Sequence, residues 1–270
     1  LFHKVMWAAH LYRKLLPGPV RQWVIQPLLS VTPAALLNVA FRYPAYLGKR
    51  GKQKALDYLD VLNSGDLDSG YRHLISLFDR RDTTSLFTAD FEAQLREQEP
   101  ASNPVADSHG PVFDEMLRLQ FGHWLPDNML LRQDKMGMAS AIEGRVPYLD
   151  HEVVEFAFRL PRTLRLRRLI GKYLLRRLAE RLLPRTTARR RKMPFYVPVE
   201  TYFQQPDFVA LMDELLSETA VRRRGIFRPE AVADLRSCLK GREFLLVKQV
   251  FSLMTLELWF RIFVDQNGER

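Results

Sequence analysis

The 270-residue sequence has a single cysteine, Cys238, and only thirteen glycines. One thiol excludes a disulfide framework and any zinc centre built from several thiolates. No apolar run reaches the roughly 18 residues needed to cross a bilayer, so no membrane span is expected. The N-terminal stretch lacks a secretion signal, because Lys4, His10, Arg13 and Lys14 interrupt it and no small-residue cleavage site follows. A cytoplasmic chain is the resulting expectation. The first residue is Leu1 rather than methionine, which reads as a piece of something longer. Strand signals are scarce, and no internal repeat appears. What is present suffices for a folded chain: 47% hydrophobic residues against 27% charged exclude a disordered one.

Acid is missing from one place in particular. Between residues 159 and 192, Glu180 is the only carboxylate among fourteen basic residues, a local charge of +13 within a total of +10. The rest of the chain is therefore slightly acidic. A concentrated basic strip on a near-neutral body points to one anionic partner at one place, with phosphate the leading candidate. A solvated, arginine-rich helix pair explains the same strip.

Helical periodicity dominates. The first 45 residues give apolar stretches at 7–16, 20–29 and 33–41, punctuated by Pro17, Pro19, Pro27 and Pro33. GKRGKQK and NSGDLDSG read as loops around a short helix at 55–62, followed by helices at 71–78 and 85–98. Residues 99–111 form the clearest linker, separating a helical part at 1–98 from a helical core at 112–270. In that core, helices are expected at 112–121, from Pro126 to a stop at Gly144 and Pro147, at 152–158 capped by Asp150, and at 172–182. Further helices are expected at 208–216, opened by Pro206 or Asp207, at 230–239, opened by Pro229, and at 244–264. The class is mainly α, helix packed on helix. Trp124, Phe156, Phe158, Phe251, Trp259 and Phe263 read as core filling, and Cys238 as packing. The arginines at 162–168 and 222–224 read as solvated surface. The six histidines are scattered, and no metal site is expected from this chain's side chains.

Residues 125–150 carry the chemistry. Arg132, Asp134, Lys135, Glu143 and Arg145 put alternating charges into a sequence apolar enough to be buried. Buried charges are costly unless paired or engaged by a ligand. Either an internal ion-pair network or an anion-facing wall would satisfy that requirement.

Here the sequence resembles a known family. Leu125, Pro126, Arg132, Asp134, Lys135, Met138 and Ala139 fall at motif spacing, followed by Glu143, Arg145, Pro147, Tyr148, Leu149 and Asp150. The order continues through Phe158 to Pro161, through Lys172 to Arg176, through Leu183 and Pro184, and through Arg191 to Phe195 with Pro198. Together these resemble the synthetase domain of glutamine-dependent asparagine synthetases. The first 110 residues match only in helical character. The family's glycine-rich pyrophosphate loop is absent, and NSGDLDSG lacks its paired glycines and preceding strand. Leu1 and Phe2 resemble the end of the family's Asp-Glu-Leu-Phe motif.

The resemblance implies the helical C-terminal portion of an α/β adenine-nucleotide-hydrolase-like synthetase domain (PP-loop type), with the nucleotide-binding parallel sheet largely missing. It implies a ligase that adenylates the aspartate side chain with ATP and lets glutamine-derived ammonia attack the β-aspartyl-AMP. ATP and Mg2+ would be bound mainly by residues outside 1–270, and ammonia would come from an N-terminal glutaminase domain. These residues alone would then be inactive. Lys172 matches the family lysine that contacts the α-phosphate and activated carboxylate. Arg132, Arg145 and Lys192 would face pyrophosphate, with Glu143, Asp134 and Lys135 supporting them. A related enzyme amidating another carboxylate, or a basic helical binding module, are the alternatives. Nucleic acid and membrane are not expected partners: no groove-reading or base-stacking motif is present.

Overall fold

The computed structural model describes residues 3–33, 36, 48–64, 67–98, 112–167, 170–190, 199–241 and 243–265. The expected linker at 99–111, most of the 33–41 stretch and the Lys192 loop lie outside the described residues. The described chain is mainly α-helical with one two-stranded antiparallel ribbon. Among the described residues, no helix is long and apolar enough to cross a membrane.

The chain divides into two compact units, each drawn from three stretches. The first unit comprises Leu1–Pro17, Ser64–Leu74 and Pro104–Phe195. Its buried centre contains Tyr71, Phe113, Met116, Leu119 and Leu166. The helix Val112–Leu119 supplies three of these at positions 113, 116 and 119, the i, i+3 spacing that stacks side chains on one face. Trp7, on the helix His3–Leu15, closes against Phe113 edge-on at 5.9 Å. Arg165 joins this centre through an ion pair to Asp114 at 2.5 Å and stands over the Phe113 ring at 5.1 Å. Arg162 lies over Trp7 at 4.5 Å. Both were expected in solvent. Their guanidinium faces are instead spent on aromatic rings, which the charge count alone does not reveal.

Pro126 does not open a helix. It sits inside Gln120–Leu130, a wide helical stretch continuous with Val112–Leu119 and with Leu131–Met138. The Leu131 N–H reaches the Pro126 carbonyl five residues back. Widening each turn by one residue accommodates a proline that would break an ordinary helix.

The second unit comprises Gly18–Asn63, Ile75–Asn103 and Tyr196–Arg270. Its core joins Leu86, Met212, Leu215, Leu216, Val221, Val232, Leu235, Leu246, Val250, Leu253 and Met254. These come from Arg80–Leu86, Pro206–Leu215 with its C-cap Leu216, Glu218–Arg224, Pro229–Ser237 and Phe244–Trp259. Pro206 and Pro229 each occupy a first helical position, as the sequence indicated. Gly225, at φ 74°, stops the 218–224 helix in the left-handed region and lets Thr88 N–H reach the Ile226 carbonyl at 3.0 Å. The fully buried Gln249 donates to the Leu77 carbonyl at 2.9 Å and to Asp82 Oδ2 at 3.0 Å, satisfying an amide the core would otherwise penalise.

Other expectations change here. GKRGKQK is not a loop: Gly48–Ser64 is one helix, with Lys52 Nζ donating to the Thr32 carbonyl and Lys54 Nζ to the Ser76 carbonyl. The run expected at 85–98 is interrupted at Phe87, which bridges Phe227 and stacks on it at 5.7 Å. Phe156, Phe251, Trp259 and Phe263 are exposed rather than core, although Phe251 stacks on Phe208 at 6.4 Å. Cys238 is also exposed. Arg224 is not solvated; it holds Glu257 at 2.9 Å and Asp265 at 2.8 Å.

Candidate active site

The chain elements carrying the described candidates, Arg132, Asp134, Lys135, Glu143, Arg145 and Lys172, all belong to the first unit. Leu131–Met138 presents Arg132, Asp134 and Lys135. It ends in a tight turn: Ile142 N–H bonds to the Gly137 carbonyl and Ala141 N–H to the Met138 carbonyl, both at 3.0 Å. That double closure places Ala141 at φ 55°, a position glycine usually takes. A Cβ on Gly137 would stand 2.5 Å from the Ile142 carbonyl oxygen, so this glycine is required. The turn leads into an irregular stretch carrying Glu143 and Arg145, then a single 3-10 turn, Pro147–Leu149. Asp150 accepts from Glu152 N–H at 2.9 Å and starts His151–Arg159. This cap fixes where the motif's last residue lies.

The expected burial of the charged wall is overturned. No residue of Leu131–Met138 is buried, and Arg132, Asp134, Lys135, Glu143 and Arg145 are all exposed. No described element of the unit packs over this segment. Apolar neighbours share the exposure, Met136 at 70% and Tyr148 at 69%. Glu143 and Arg145 pair at 2.9 Å with 64% and 82% of their side chains exposed, a geometry that contributes little to stability. Arg132 donates to Asn128 Oδ1 at 2.6 Å and not to Glu143. Asp134 and Lys135 form no ion pair among the described residues.

Lys172 lies on a separate element. The strands Leu166–Arg167 and Ile170–Gly171 pair antiparallel, and the helix Tyr173–Leu182 follows at once. Lys172 is the residue between them, at φ 57° and ψ 39°, with no side-chain cap of its own. It is exposed and forms no ion pair among the described residues. No hydrogen bond or ion pair among the described residues joins it to Arg132 or Arg145. The structure does pair Glu143 with Arg145, and leaves Arg132 and Lys172 on their own elements. Around Lys172 the sequence reading missed the ribbon and its contacts from Arg167 and Tyr173. Gly171 was the available signal, since a glycine before a helix start marks a tight backbone approach. Among the described residues, no group of histidine, cysteine, aspartate or glutamate side chains could hold a metal ion. The donor set is cationic, which suits phosphate oxygens rather than Mg2+.

The Asparagine synthase family model matches residues 39–261, and the chain belongs to that family. It is 28% identical over 191 residues to a Mycobacterium tuberculosis (strain H37Rv) protein provisionally named a glutamine-hydrolyzing asparagine synthetase, covering 65% of this chain and 28% of the relative. Asparagine synthetase [glutamine-hydrolyzing] 1 of Bacillus subtilis is 38% identical over 81 residues, 30% of this chain and 13% of its own length. Asparagine synthetase [glutamine-hydrolyzing] 3 of the same organism is 27% identical over 144 residues, 49% and 23% of the two chains. The chain thus spans less than a third of the length of these relatives. No solved structure matches it significantly.

Proposed function

We propose that this chain is the helical C-terminal portion of an ATP-dependent ligase that converts aspartate to asparagine. The aspartate side-chain carboxylate would attack the α-phosphate of ATP, forming β-aspartyl-AMP and releasing pyrophosphate. Ammonia derived from glutamine would then displace AMP. The nucleotide-binding sheet, of PP-loop type, and the glutaminase domain would lie in other parts of the enzyme, so residues 1–270 alone form no amide.

The observation that carries this reading is the state of Lys172: an exposed ammonium without an ion-pair partner among the described residues, on a left-handed backbone, at the N-cap of a helix to which its own side chain gives no capping bond. A compact point charge follows a phosphate whose geometry changes during transfer better than a rigid fork does. Negative charge spreads over the α-phosphate and the departing pyrophosphate in the transition state, so a cation fixed there lowers the barrier. Arg132, Arg145 and Lys192 are assigned to pyrophosphate, where a bidentate fork is an advantage for the two arginines. Glu143 orients Arg145 through their ion pair. Asp134 and Lys135 set the local charge beside Arg132. The described residues do not fit Mg2+.

The test is aspartate-dependent exchange of labelled pyrophosphate into ATP, measured on a chain that also carries the remaining parts expected of the family. Exchange with aspartate supports the assignment. Exchange that requires another carboxylic acid instead would replace the substrate and keep the chemistry. Absence of exchange with any acid would refute the adenylation step.

A further inference from the structure

Lys172 and Ala141 are the two non-glycine residues with positive φ among the described residues. Any residue with a Cβ resists this conformation. Residues that start helices normally have extended backbone and a short polar side chain. Lys172 has neither, so neighbouring residues must hold its backbone in place. Leu166 pairs opposite Gly171, and both are buried, which anchors the ribbon. Arg176 Nε donates to the Gly171 carbonyl at 3.3 Å, and Arg176 N–H to the Lys172 carbonyl at 2.9 Å. Arg167 reaches from the first strand past Lys172 to the first helical residue. Its Nη1 donates to the Tyr173 hydroxyl at 2.7 Å, and its guanidinium carbon lies 5.2 Å from the centre of the Tyr173 ring. Arg167 thereby ties the first strand of the ribbon to the first residue of the helix Tyr173–Leu182, and Lys172 lies between them in the chain.

We infer that Arg167 and Tyr173 form a clamp that positions the Lys172 ammonium, an inference that rests on the reading of Lys172 given above. Both are positioning residues and act through the backbone of residues 171–173. A turn needed only for folding would be served with less strain by glycine, or by asparagine. A lysine kept there against its backbone preference is explained by what its side chain does.

The experiment uses the same longer chain and measures aspartate-dependent pyrophosphate exchange, the KM for ATP and the thermal midpoint. Arg167→Gln and Tyr173→Phe are expected to lower kcat about ten- to a hundred-fold, the scale of a small misplacement of a reacting group. KM should stay within about twofold, because the lost interaction belongs to the transition state. Arg167→Lys keeps a cation over the ring and should recover part of the loss. Lys172→Gly should raise the thermal midpoint while abolishing exchange. Tyr173→Phe guards against misfolding, since it removes a single oxygen. Folded Arg167→Gln and Tyr173→Phe proteins with wild-type kcat, beside an inactive Lys172→Ala, would overturn the clamp and leave the site reading intact. A Lys172→Ala enzyme that still exchanges would overturn the site reading, and the clamp with it.

Discussion

Replacing Arg224 with methionine tests how the second unit secures its last helix. Arg224 is 16% exposed and gives Glu257, itself 8% exposed, two hydrogen bonds at 2.9 and 3.2 Å. It also holds Asp265 through two bonds at 2.9 and 2.8 Å and lies 4.5 Å from the centre of the Phe260 ring. Removing one partner of a buried pair costs about 3–5 kcal/mol, because the other charge stays behind without compensation. Glu257 here keeps Arg261, whose Nε donates at 3.0 Å, so about 2–3 kcal/mol is the appropriate range. Loss of the aromatic contact adds about 0.5–1 kcal/mol. Arg222→Met on the same helix is the control. Its partner Glu218 is 2.6 Å away, but both side chains are about 70% exposed, and such pairs contribute about 0.3–0.5 kcal/mol. Urea unfolding followed by far-ultraviolet circular dichroism compares the two midpoints at a common slope. Similar losses in the two variants, or a loss below about 1 kcal/mol at Arg224, would refute the claim that burial makes this network matter.

Ala141→Gly should stabilise the chain by about 1 kcal/mol, because Ala141 occupies at φ 55° the position that closes the 131–138 helix; a lower urea midpoint would contradict that. The hydrogen bonds from Arg224 hold the Asp265 carboxyl below its ordinary 3.8, reinforced by the charges of Arg224, Arg223 and Arg261 and partly opposed by desolvation. A depressed carboxyl stabilises the fold above its unfolded-state pKa and loses that contribution as pH falls through the lower folded-state value. The difference in thermal midpoint between wild type and Asp265→Asn should therefore be constant near neutrality and close below about pH 4. A difference that persists unchanged into stronger acid would show that the tie is not electrostatic.

The sequence signals that worked were local. Pro206, Pro229 and Asp150 mark helix starts by removing a donor or supplying an acceptor, and each stands where it was read. Signals failed where a longer-range contact outweighed them. Gly48 and Gly51 suggested a loop, yet Lys52 and Lys54 tie that helix to distant carbonyls. Pro126 suggested a start, yet a wider turn absorbs it. The ribbon at 166–171 has two residues per strand, too short for any alternation to show. Phe156 lies on an amphipathic helix and Trp259 on one that is apolar on most sides, but sequence does not tell which faces another element covers. The candidate site follows the same division. Motif spacing marked Lys172, Arg132, Glu143 and Arg145 as candidates, and the Glu143–Arg145 pair is one form of the internal ion pairing that the charge pattern allowed. Their exposure was not, because apolar neighbours such as Met136 and Tyr148 gave the segment the composition of a buried one. Arg167 and Tyr173 escaped notice because their partnership depends on a backbone reversal that the sequence does not announce.

An exposed wall of cations and apolar side chains makes sense if something anionic and something apolar come to rest on it, and exposed ion pairs alone give no stability reason to keep the wall. Lys172, on its own element at the start of Tyr173–Leu182, carries the heaviest claim. The most direct measurement is aspartate-dependent pyrophosphate exchange by Lys172→Ala in the longer chain, run beside its hydrolysis of glutamine. The account predicts that exchange disappears while glutamine hydrolysis continues. Exchange at the wild-type rate, or the loss of both activities in a protein that is still folded, would contradict it.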